Sequence, residues 1–189
     1  MKRLFTIALL GILTGCTTVQ DTTRLSTDLN ASEYNSISSQ YTRKPTFVSL
    51  ETFSSGEKVL AVNMKTYAIN EYGMDSSTLR YSNQFVDSYI DFANKFLSWE
   101  AIATERQDAF TKEIGEAKSW SSGMDGYLKF TFYSGNASNH YLAVTFCTSI
   151  ICLDHAHYYD KENVEKLKRL FEQLKSDQFT STHIDSVYQ

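Results

Sequence analysis

Two histidines stand two residues apart, His155 and His157, in the run Asp154-His155-Ala156-His157-Tyr158-Tyr159-Asp160. On a strand they would share a face. A His-x-His pair suits zinc or copper, but two ligands do not close a site. Asp154, Asp160, His140 or His183 would have to complete it. The competing reading, which the sequence favours, is a solvated connection between the last strand and the last helix. Just upstream, Cys147 and Cys152 stand five residues apart. On one continuous strand they would be roughly 16 Å apart and point to opposite faces. That excludes a disulfide, which needs Cα atoms within about 7 Å. If the chain turns at Thr148 to Ile151, they face each other and can close. Redox work is not expected, because the spacing is C-x4-C and no neighbouring cation lowers a thiol pKa.

A third group is aromatic. In Tyr127 to Tyr133, Leu128, Phe130 and Phe132 fall on one face and Tyr127 and Tyr133 on the other. In Tyr141 to Cys147, Leu142, Val144 and Phe146 fall on one face. A symmetric hairpin pairs Phe132 with Leu142, Phe130 with Val144 and Leu128 with Phe146, and two matched apolar faces specify that register strongly. Tyr133 and Tyr141 then pair on the opposite face. Tyr127, Tyr133 and Tyr141 are either sheet-surface packing or the rim of a binding surface. The sequence carries no G-x-S-x-G, H-E-x-x-H, Walker or dinucleotide-binding signature. No carboxylates are paired by spacing, so a non-enzymatic role is favoured.

The first sixteen residues speak about place. Lys2 and Arg3 precede a ten-residue apolar run, Leu4 to Leu13. As a helix it covers about 15 Å, half of a hydrocarbon core, and so suits a signal-peptide core rather than a membrane span. Leu13-Thr14-Gly15-Cys16 follows. This resembles the lipobox of bacterial lipoprotein precursors. The resemblance implies cleavage before Cys16, a diacylglyceryl group on its sulfur, palmitate among the acyl chains of the anchor, and a location in the cell envelope. Thr17, where an aspartate would favour inner-membrane retention, leans the expectation towards the outer membrane, facing the periplasm. Several acyl chains make a durable anchor. In that compartment two thiols tend to oxidise, which favours the turn and a Cys147–Cys152 disulfide.

Removing residues 1–15 takes away Lys2 and Arg3, so the 18 basic residues become 16 against 22 acidic ones, a net charge of −6. That argues against nucleic acid as a partner. Thr17 to Pro45 is rich in Thr, Ser, Asn and Gln and reads as a flexible leash of roughly 30 Å. Residues 16–45 are thus expected to be lipidated N-terminus and tether, residues 46–178 a single domain, and residues 179–189 a loose tail.

Within the domain, Thr46 to Phe53 reads as a strand. Lys58 to Tyr72 is open between strand and helix. Gly73 to Arg80 reads as a loop. Phe85, Val86, Tyr89, Ile90, Ala93, Phe96 and Leu97 recur at helical spacing after a Ser82 cap. Ala109 to Ala117 reads as a weak strand. Val164, Leu167, Leu170, Phe171 and Leu174 define a last helix capped by Asp160. The expected fold is α+β: an antiparallel β-sheet with two main helices packed on one face. The expected function is a membrane-anchored module that binds an envelope component, assembles or inhibits. The alternative is a metal-binding or hydrolytic protein built on His155 and His157. No cofactor is implied beyond the lipid, with zinc or copper only in that alternative.

Overall fold

The structure is a computed structural model and describes residues 18–70, 73–121, 123–153 and 155–179. The lipobox with Cys16, Asp154, His183 and the tail beyond Phe179 lie outside the described residues. The strands are β1 (Val19–Leu25), β2 (Ala31–Asn35), β3 (Gln40–Lys44), β4 (Thr46–Phe53), β5 (Lys58–Asn70), β6 (Gly73–Ser82), β7 (Thr111–Ser121), β8 (Met124–Asn136), β9 (Asn139–Cys147) and β10 (His157–Tyr159). The helices are α1 (Val86–Arg106) and α2 (Lys161–Ser176).

The strands form two antiparallel sheets, of four strands ordered β1-β4-β5-β6 and of six ordered β3-β2-β10-β9-β8-β7. This corrects the expectation of one sheet with both helices on one face. The extra strands come from stretches whose polarity concealed them. β1, β2 and β3 occupy what was expected to be a leash, and β6 occupies the expected loop from Gly73. β1 is exposed along almost its whole length. Its ladder to β4, from Val19↔Phe53 to Leu25↔Val48, makes it a strand without any apolar stripe. The described fold therefore begins at Thr18, well before Thr46. Pro45 does not mark entry into the domain. It is the corner where the chain leaves the six-stranded sheet at Lys44 and joins the four-stranded one at Thr46. Proline suits that corner because it owes no ladder an N–H.

The other elements follow their patterns. Lys58–Asn70 is a strand that buries Leu60, Val62 and Met64. The hairpin of β8 and β9 has the matched register, with Leu128↔Phe146, Phe130↔Val144, Phe132↔Leu142 and Tyr133↔Tyr141. Ser82 Oγ accepts from Gln84 N–H at 3.2 Å, starting a turn that leads into α1. Asp160 caps α2 by accepting from Asn163 N–H at 3.0 Å.

One core joins all the layers. The Tyr81 ring of β6 lies 5.4 Å from Tyr89 of α1, 5.0 Å from Phe171 of α2 and 6.3 Å from Phe130 of β8. The sheets also meet edge to edge, where Ser119 Oγ donates to the Arg80 carbonyl at 2.8 Å. Beside it, the Phe53 and Trp120 rings stand 5.6 Å apart. This contact gathers the start of β1, the β4–β5 turn, the β7–β8 turn and the Cys147–Cys152 turn at one end of the molecule. The β2–β3 and β8–β9 turns lie at the opposite end.

Candidate functional site

The site is the outer face of the six-stranded sheet. Strand alternation sends Leu128, Phe130, Phe132, Leu142 and Val144 inward, so Tyr133 and Tyr141 point out. β10 pairs with β9 through Tyr158↔Ala143 and with β2 through Tyr158↔Ser32. That brings the β2–β3 pair Tyr34↔Tyr41 to the same face. Five tyrosines meet there around Tyr41. Its ring is stacked on Tyr141 at 4.3 Å and lies 5.0 Å from Tyr34, 6.0 Å from Tyr133 and 4.9 Å from Tyr158. Burial, and then the Tyr133 hydroxyl, push the Tyr41 hydroxyl far above its ordinary value. Burial also raises Tyr141 and Tyr158. The tyrosine cluster itself carries no formal charge; the Arg43–Asp160 ion pair at 3.1 Å rims it on one side, and the Lys129–Glu113 pair at 2.9 Å lies further along the same sheet face.

A cleft of about 290 Å³ opens at the turn end of this face, lined by Ser39, Gln40, Tyr41, Gly135, Asn136, Asn139 and Tyr141. Gly135 sits where the β8–β9 register shifts. A Cβ there would come within 3.2 Å of the Tyr41 ring, so its absence lets that ring lie across the strand. Aromatic rings beside amide and hydroxyl side chains suit a neutral, hydroxyl-rich ligand.

Of the three tyrosines singled out from sequence, Tyr133 and Tyr141 come together. Tyr127 stands at the other end of β8, paired with Cys147. Tyr34, Tyr41 and Tyr158 escaped the sequence reading. The usable signal was local: polar alternation on both sides of the turn after Asn35. Cys147 and Cys152 are bonded across that expected turn and face each other as an isolated antiparallel bridge.

His157 reaches the interior between the sheets, whereas the His155 side chain is 40 % exposed beside Glu33. His157 is fully buried, with Nδ1 3.1 Å from the Tyr159 hydroxyl and Nε2 3.1 Å from Ser77 Oγ. Ser77 Oγ also donates to the His155 carbonyl at 3.3 Å. With that proton committed, Nε2–H of His157 donates to Ser77 and Nδ1 accepts from Tyr159. Both nitrogens that a metal would use are engaged. His155 Nδ1 lies 3.3 Å from Glu33 Oε1. Glu33 in turn pairs with Lys44 at 3.5 Å and accepts from Tyr67 N–H at 2.7 Å. Of the completing ligands considered, Asp160 caps α2 and His140 lies against Ser134 at 2.9 Å. Among the described residues no three of His, Cys, Asp or Glu converge at metal-binding spacing. Ser134 and His140 form a hydroxyl–imidazole pair, but His140 is buried and stacked on Phe132, and Ser134 Oγ accepts from Phe110 N–H at 3.1 Å. The pair ties the start of β7 to the hairpin.

Burial holds the His157 pKa down, from 6.5 to about 3. Below pH 6.5 the unfolded chain takes up a proton that the folded chain refuses, so stability falls as pH drops towards 3, by about 1.4 kcal/mol per unit. Above pH 6.5 this group has no effect. Urea unfolding of the wild type should lose about 2 kcal/mol between roughly pH 6.5 and 5 from this group. His157→Gln, which cannot take up that proton, should show a correspondingly flatter profile.

No helix among the described residues is long and apolar enough to cross a membrane. Comparison of the chain with protein-family models, curated proteins and solved structures found no match.

Proposed function

We propose that this chain is a lipid-anchored envelope protein that binds a neutral, hydroxyl-rich ligand, a cell-wall or surface glycan, on its tyrosine face. Anchoring rests on Leu13-Thr14-Gly15-Cys16 and the signal-like run before it. Binding rests on one observation: five tyrosines in mutual contact on the sheet face that the core does not use, bordering a cleft with Gln40, Asn136 and Asn139. Aromatic faces cover sugar C–H surfaces, while amides and hydroxyls exchange hydrogen bonds with ring hydroxyls. The uncharged tyrosines present no counter-ion for an acidic ligand. The module acts by holding its ligand at a membrane surface, without chemistry on it.

The test is co-sedimentation with insoluble envelope glycan, followed by titration with its neutral oligosaccharide fragments. Tyr34 is 44 % exposed, so Tyr34→Ala leaves the core untouched. It should weaken binding about tenfold, a loss of about 1.4 kcal/mol. Tyr127→Ala, at the far end of the strand, should leave binding unchanged. A wild-type chain that stays in the supernatant would remove this reading.

A further inference from the structure

We infer that the end of the molecule carrying Ile150 and Ile151 lies in the lipid interface, so that the tyrosine face is held away from the membrane. This rests on the anchor at Cys16. From Thr18 to Pro45, where a leash is expected, the described chain is folded into β1, β2 and β3 and their connections. Thr18 N–H donates to Ser54 Oγ at 3.2 Å, and Ser54 N–H donates to the Thr18 carbonyl at 2.9 Å, so residue 18 is bound to the β4–β5 turn. Cys16 is two residues earlier, and two residues reach at most about 7 Å. A lipid on Cys16 therefore brings this end of the fold to the bilayer surface.

The same end exposes a group of apolar side chains. Ile150 is 87 % exposed and Ile151 61 %, on the turn closed by Cys147 and Cys152. Met124, the first residue of β8, and Val19, the first of β1, are each 45 % exposed. Val19 pairs with Phe53, Phe53 packs on Trp120, Trp120 pairs with Asp125 beside Met124, and Tyr127 pairs with Cys147. These contacts carry the path from the anchor to the isoleucines along one end.

The turn is built to enter an apolar medium. Cys147 to Leu153 contains no charged residue. The Ile150 and Ile151 amides donate to Thr148 Oγ1 at 3.3 and 3.2 Å, and Thr148 N–H donates to the Ile151 carbonyl at 2.8 Å. Backbone groups already paired within the turn do not have to give up water bonds on entering lipid.

The experiment uses the acylated full chain in phosphatidylcholine vesicles, with and without bromine on the acyl chains. Ile150→Trp places a reporter on the turn, and Ile37→Trp places one at the opposite end, where Ile37 is 97 % exposed. After subtraction of the wild-type signal, the residue-150 emission should shift to the blue and fall by more than half in brominated vesicles, while the residue-37 emission should do neither. Intact mass measured on the same sample separates the two failures. An acylated chain whose residue-150 signal is unquenched overturns the insertion and leaves the anchor standing. A chain with no acyl mass removes both. A blue shift without bromine quenching places a protein, or a second copy, on the turn and also overturns the proposal.

Discussion

Lys44→Met is expected to destabilise the fold by about 3–5 kcal/mol, the range for removing one partner of a buried ion pair. Glu33 of β2 and Lys44 of β3 are diagonal neighbours, since Lys44 pairs with Ala31 and Glu33 with Thr42, and their charged ends lie 3.5 Å apart, with side chains 11 % and 6 % exposed. The Lys44 ammonium also lies over the Tyr67 ring. Without Lys44, the Glu33 carboxylate keeps, among the described residues, Tyr67 N–H and the His155 imidazole as polar neighbours. The informative variant is the double one, Glu33→Gln with Lys44→Met. It removes both charges and keeps an oxygen for Tyr67 N–H. Denaturant unfolding should show the double variant recovering more than half of the single variant's loss. A coupling near zero would mean that the pair does not interact, since independent sites add.

Phe130→Ala is expected to cost a similar amount, about 3–5 kcal/mol, for a different reason. Phe130 is fully buried and touches three aromatic rings, Tyr81, Tyr89 and Phe92, with ring centres 6.3, 5.8 and 4.9 Å away. Those rings belong to β6 and α1, so truncation leaves a cavity where both sheets and a helix meet. Phe130→Leu, which fills most of that space, should lose less than half as much by the same unfolding measurement. Its neighbour Thr131 points to the outer face, so glycan binding per folded molecule should be unchanged in both variants.

What could be read from the sequence follows what hydrophobic periodicity can encode. The β8–β9 hairpin, α1 and α2 each bury one regular stripe, and each was legible with its facing residues. The Cys147–Cys152 turn was legible because the alternative geometry forbids the bond. β1 was not legible, because backbone pairing holds it and its side chains stay in water. β2 and β3 escaped for a related reason. Their inward residues include Glu33 and Lys44, charges that a sequence reading assigns to solvent until a partner across the strand is known. The site suffered most. Tyr133 and Tyr141 announced themselves as a hairpin pair. Tyr34 and Tyr41 join them only because β10 lies between β2 and β9, a placement that no local pattern specifies. The two-sheet architecture was lost with those strands.

The pairing of Tyr158 with Ser32 sets an order of events. The hairpin of β2 and β3 can close on itself as soon as it is made, but its seat is completed only by residues near the other end of the chain. Contacts between such distant positions form slowly, because a long loop must close first. The β2–β3 hairpin therefore waits, with an open edge, until β10 is available. A chain cut short of β10 would leave its first hairpin with nowhere to dock, and such unpaired edges are what quality-control proteases and chaperones recognise.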